Sequence, residues 1–176
     1  MTEVKSVLDV RKELEEIFKV DKKDCKSEKV KVRKLYKDLI KKVNQDVEKG
    51  ILNIDLEIYI KPSGICEGIA YAVGCLEELK RSQLRKFFNE IKAIEYDLKS
   101  GEDVKEIKIR ILTLIPKLAY AKGRKLIDEN FYEFMKTILS KVKEDMNKEN
   151  AQEVFEIFVK ILESIVAYHT YHFQEA

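Results

Sequence analysis

The sequence predicts an all-α protein, a bundle of about five core helices preceded by an N-terminal helical extension. Three observations carry this. Apolar residues recur every three or four positions in each long segment, which is the period of one helix face. Only two prolines and six glycines interrupt the chain, so long helices have room. Strand-like alternation is confined to residues 51–60, and a lone strand has no partner with which to build a sheet.

The elements follow in order. Residues 4–20 can form a helix with Val7, Leu14, Ile17 and Phe18 inside, and residues 21–27 are a polar break. A helical pattern resumes over 28–49, with Val32, Leu35, Tyr36, Leu39 and Val43 as its stripe and Gly50 as its stop. This N-terminal part carries less apolar surface than the later helices and reads as an appendage, giving a division into 1–62 and 63–176. Residues 51–60 read as an extended connector or a helical piece. Lys61-Pro62-Ser63-Gly64 is the clearest boundary, with Ser63 the expected N-cap of the next helix. That helix reaches to around Leu79 and turns Ile65, Ile69, Ala72, Val73 and Leu76 inward. Gly64, Gly68 and Gly74 weaken it relative to Ala or permit close helix contact.

Two amphipathic helices then meet at Ser100-Gly101. The first places Leu84, Phe87, Phe88, Ile91, Ile94 and Leu98 on one face, with Arg85, Asn89, Lys92 and Tyr96 on its flank. The second buries Val104, Ile107, Ile111, Leu114, Ile115 and Leu118 and leaves Arg110, Thr113 and Lys117 opposite. Pro116 should kink it or start a new turn. Gly123 is the expected left-handed C-cap, and Lys122 suits the negative end of the helix dipole. Phe131, Phe134, Met135, Ile138, Leu139, Val142 and Met146 form the next stripe. Asn150 is the expected N-cap of a last helix that buries Val154, Phe155, Phe158, Ile161, Leu162, Ile165 and Val166.

A hydrophobic content of 45% suffices for a core, and the 38% charged fraction, rich in Lys and Glu, fits a thermophile. No apolar run approaches the ~20 residues a membrane helix needs, and no signal pattern is present. Cys25, Cys66 and Cys75 lack metal-ligand spacing and read as buried thiols of a cytoplasmic protein. The net charge of +2 conceals segregation. Residues 19–42 carry eleven Lys/Arg against four Asp/Glu, a net +7; residues 81–125 carry twelve against six, a net +6; residues 126–176 carry five against ten, a net −5. Such placement favours an anionic partner, or the meeting of acidic and basic faces of neighbouring copies. A solvated face of mixed charge is the plainer reading of any single lysine run.

Catalytic signals are thin. No P-loop, nucleophile elbow or H-E-x-x-H occurs. His169 and His172, spaced i, i+3, can share a face and bind a metal together with Cys66 or a carboxylate. Two aromatic-like residues near a helix C-terminus, where positive charge is tolerated, are the plainer reading. No catalytic residue, metal ligand or cofactor site is assigned.

Three blocks resemble a known family: Ser82-Gln83-Leu84-Arg85-Lys86-Phe87-Phe88, then Pro116-Lys117-Leu118-Ala119-Tyr120-Ala121-Lys122-Gly123-Arg124, then Ile165-Val166-Ala167-Tyr168-His169. In order and spacing they look like the small subunit of the type III-A (Csm) CRISPR effector complex, over roughly residues 63–173. Residues 1–62 have no counterpart in that likeness, and Lys80-Arg81 stands where the family commonly has two threonines. The resemblance implies a non-catalytic helical subunit of a ribonucleoprotein acting in antiviral defence. Several copies would stack beside the guide RNA and the target RNA paired to it, in contact with the backbone and large subunits. Arg85, Lys92, Lys117, Lys122 and Arg124 are then the candidate RNA-backbone contacts. The competing classes are a helical protein–protein interaction subunit that touches no RNA, and a metal-dependent enzyme resting on His169 and His172.

Overall fold

The structure, a computed structural model, describes residues 29–76 and 79–173. The helix expected over 4–20, with Cys25, lies outside the described residues. Helices α1 (Lys29–Glu48), α2 (Leu56–Ile60), α3 (Ile65–Cys75), α4 (Arg81–Lys99), α5 (Val104–Gly123), α6 (Glu129–Asp145) and α7 (Ala151–His172) make an all-α bundle. Helix α7 runs against α3 and α4, α1 lies against α3 and α6, and α5 rests on α6. One continuous core joins them, and Phe87, Ile91, Leu118, Phe134 and Phe158 are all buried in it.

Helix α1 departs from its reading as an appendage. Its 3- and 4-residue spacing buries Val32, Leu35, Tyr36, Leu39, Ile40, Val43 and Val47 in the same core. The stripe was visible in sequence, but the faces of α3 and α6 that cover it were not. Residues 51–60 resolve as the helical alternative: a 3-10 turn at Ile51–Asn53, then α2, whose first turn is capped by Asp55 accepting from Glu57 N–H at 3.1 Å. Tyr59 of α2 is buried and donates its hydroxyl to Asp46 of α1 at 2.8 Å. Burial first, and that carboxylate second, push its pKa above the ordinary tyrosine range.

Ser63 does not cap α3. It sits in the left-handed region at φ 60°, and its N–H donates to Glu67 Oε1 at 2.8 Å, while Gly64 occupies the cap position without a side-chain bond. The helix ends at Cys75, short of Leu79, which pairs instead in an isolated bridge with Ile127. A Cβ on Gly74 would fall 2.1 Å from the Phe173 ring, so the close contact of α3 with the end of α7 needs glycine there. Cys66 is a free thiol, fully buried, and burial raises its pKa above the usual thiol range. Cys75 is disulfide-bonded, which departs from the expectation of thiols throughout.

Capping explains most of the remaining boundaries. Asp103 accepts from Lys105 N–H at 3.1 Å, and Asp128 from Asn130 and Phe131 N–H at 3.0 and 3.1 Å. Asn150 stands at the start of α7 but makes no cap bond; its side chain accepts from Asn147 N–H and donates to Asp145 C=O, closing the α6–α7 loop. The α4–α5 turn is a Schellman motif, with Gly101 at φ 95° donating to Leu98 C=O and Glu102 to Asp97 C=O. The end of α5 uses the same motif, but its left-handed residue is Lys125 at φ 59°, not Gly123. Gly123 is the last helical residue, so the expected cap is displaced by two positions. Helix α5 continues through Pro116, whose exposed ring lies on the solvent side.

Candidate nucleic-acid interface

Helices α4 and α5 form an antiparallel hairpin whose members rest mainly on different partners, α4 on α7 and α5 on α6. A groove therefore runs between them. Near the turn it is tied across by Arg110, which donates to Asp97 and, at 3.2 Å, to Glu102. Further along, Lys117 Nζ meets Glu90 Oε2 at 3.3 Å. A cavity of about 190 Å³ lies between these ties, lined by Ala93, Ile94, Thr113 and Leu114 as well as the charged groups. Past Lys117 the groove widens to about 550 Å³, with Lys86 and Glu90 on one wall and Pro116, Lys117, Tyr120 and Arg124 on the other.

The five residues chosen from sequence do not converge. Lys117 and Arg124 face the wide groove. Arg85 and Lys92 are exposed on the other flank of α4, beside Asn89 and Tyr96, as helical spacing requires. Lys92 donates to Glu95 at 2.7 Å, and that hydrogen bond raises its pKa above the ordinary lysine value. Lys122 sits on the α6 side of α5. It bonds Glu129, which raises its pKa, and lies 4.8 Å from the centre of the Tyr132 ring. Arg124 Nη1 donates to the Tyr120 hydroxyl at 3.0 Å. Three of the five cations are thus already paired with carboxylates from other turns or helices.

Sequence reasoning missed Lys86 and Tyr120 as groove residues. Lys86, like Arg85, is exposed and has no ion pair among the described residues. Its signal was its place four residues before Glu90, on the flank that turns toward α5. Tyr120 lay in plain view inside the block that carried the family resemblance, but nothing in one helix tells which exposed ring overhangs a cavity.

The histidines part company. His172 Nε2 lies 2.7 Å from Glu67 Oε2, pinning the end of α7 to the start of α3, and its ring meets Tyr71 edge-on. His169 is buried, and its Nδ1 has no hydrogen-bond partner among the described residues. Burial, then the positive charge of Arg81, then His172, lower its pKa. Cys66 Sγ points at Ile161 C=O, 3.6 Å away. No group of three or more His, Cys, Asp or Glu is placed to hold a metal ion among the described residues.

An all-helical bundle carrying a basic hairpin groove is the frame of a binding or assembly subunit. Comparison with known proteins narrows this: residues 63–175 match the family model described as Csm2 Type III-A, and the chain belongs to that family. Csm2 is the structural small subunit of a type III-A CRISPR complex. Neither the curated proteins nor the solved structures contain a match. No helix among the described residues is long and apolar enough to cross a membrane.

Proposed function

We propose that this chain is a non-catalytic RNA-binding subunit of its ribonucleoprotein, lining the guide RNA–target RNA duplex in antiviral defence. The observation that supports it is the set of Lys86, Lys117 and Arg124 along one groove of a rigid hairpin. Guide pairing reads the target sequence, so a lining subunit needs only a sequence-independent grip on phosphates. Surface lysine–carboxylate pairs hold weakly, at ~0–1 kcal/mol, so Lys117 can exchange Glu90 for a phosphate at little cost. Cytoplasmic residence, contact with the backbone and large subunits, and self-association along the complex belong to the same proposal. So does the role of residues 1–62 as an extension of the family unit at 63–176.

The test is a salt titration of RNA affinity, with the assembled complex or the free protein at high concentration. Arg85, Lys92, Lys117, Lys122 and Arg124 are changed to Ala singly and together, with Lys86→Ala beside them. Each phosphate contact removed should weaken all sequences alike and flatten the salt slope by ~0.7–0.9. Lys86, Lys117 and Arg124 should dominate. A combined variant with unchanged affinity and slope overturns the reading.

A second reading has its own observation. Ile109, Leu112, Pro116 and Tyr120 are exposed in a stripe along α5, the last two at the rim of the groove. That apolar stripe suits a protein neighbour and supports an interaction subunit without RNA contact. Leu112→Asp blocking assembly, with RNA affinity absent throughout, would favour it.

A further inference from the structure

We propose that the wide end of the α4–α5 groove holds an unpaired nucleotide of the bound RNA, its base stacked on Tyr120 and its phosphate among Lys86, Lys117 and Arg124. This rests on the RNA-binding reading and adds which RNA element the site selects.

Tyr120 is 65% exposed and takes no part in the core. Its ring is nevertheless held. Arg124 bonds its hydroxyl at 3.0 Å, and the guanidinium carbon lies 5.7 Å from the ring centre. The guanidinium is thereby seated at the hydroxyl end of the ring, and the residue's high exposure leaves ring surface open to solvent. A ring fixed in this way is a stacking platform, since every base offers a flat π face. The guanidinium at its hydroxyl end fixes the ring and adds positive charge for a phosphate.

The space in front of the ring is concave. At about 550 Å³ it falls within the ~300–1,000 Å³ range of small-ligand sites. Three cations line it against the single carboxylate of Glu90, so it favours an anion. A paired base hides its faces inside the helical stack and offers only edges and phosphates. The platform is useful only to a base that has left the stack. Tyr96, 71% exposed on the other flank of α4, makes the contrast, because it lines neither cavity of the α4–α5 groove.

The experiment uses the full chain and three forms of one RNA: a uridine-rich single strand with a central 2-aminopurine, the same strand fully paired, and the same strand paired so that the 2-aminopurine bulges. Binding should quench the fluorophore in the single strand and the bulge and leave the paired form unchanged. Tyr120→Ala should weaken the two unpaired forms by roughly 5- to 150-fold, the value of one stacked base. Tyr120→Phe, which keeps the ring, should retain the quench. Lys86, Lys117 and Arg124 changed together to Ala should weaken all three forms. If RNA binds with that lysine and arginine dependence but Tyr120→Ala has no effect, this inference is overturned and the RNA reading stands. If Tyr120→Ala spares RNA binding and blocks assembly with other subunits, the ring belongs to a protein seam and the inference is again overturned. If no form of RNA binds, both fall.

Discussion

Helices α3 and α5 belong to one bundle and have opposite surfaces. Ten of the eleven residues of α3 are buried, against five of the twenty in α5. The first is clamped between α1 and α7, and its polar groups are satisfied inside: Glu67 by Ser63 N–H and His172, Cys66 by a carbonyl of α7. The second rests mainly on α6 and leaves two flanks open, with cations in exposed pairs that water and salt can loosen. A helix buried on all sides has no surface left with which to recognise anything. The exposed helix keeps apolar and basic groups at the surface, and the proposed partner contacts therefore fall on it.

The contrast breaks most visibly in stability. Phe158→Ala, in the helix packed on α3, should cost ~3–5 kcal/mol by urea denaturation. Tyr120→Ala should change stability by no more than ~0.5 kcal/mol. Equal losses would mean that α5 is held from both sides as α3 is.

Acid should attack the buried side first. His169 has a lowered pKa, so the folded state keeps it neutral while the unfolded chain takes up a proton below about pH 6.5. Its contribution is therefore present above that pH and lost as pH falls, at a limit of ~1.4 kcal/mol per pH unit. His169→Phe should flatten the stability profile between pH 7 and pH 5. RNA affinity should follow the same pH change only through unfolding.

A finer contrast lies at the two ends of the hairpin. Gly101→Ala forces a side chain into φ 95° and should cost ~1 kcal/mol or slightly more. Gly123→Ala puts a methyl group into open space on helical backbone and should add ~0.5–1 kcal/mol. Thermal melts of the two variants should move in opposite directions.

The helices were legible because each stripe, such as Phe131 to Met146, repeats with the period of the face it buries. Asp103 and Asp128 cap their helices, a role not assigned to them from sequence, where the expected caps were Ser63, Gly123 and Asn150. Caps were misread at Ser63 and Gly123, because residue type suggests a left-handed or capping role but hydrogen bonding decides where the turn falls. The groove was half legible. Net charge within residues 81–125 pointed to this hairpin, and Lys117 and Arg124 line the cavity on which the proposal rests. Counting charges along one helix cannot show that Glu90 reaches Lys117 across the groove or that Glu129 takes Lys122. Nor can it rank an exposed tyrosine over a cavity above one on an open flank.

The seat of α1 has a consequence for how the family unit is delimited. The family match begins at residue 63, yet seven side chains of α1 are buried against helices inside that unit. Together they represent on the order of 10 kcal/mol of apolar burial, comparable to the whole stability of an ordinary domain. The segment is also fastened by Asp145, which accepts from Ile51 N–H at 2.7 Å, and by Asp46, which accepts from Tyr59. The family match and the buried core therefore cover different lengths of chain. A polypeptide begun at residue 63 would present the uncovered faces of α3 and α6 to water, and would have to find another molecule to cover them.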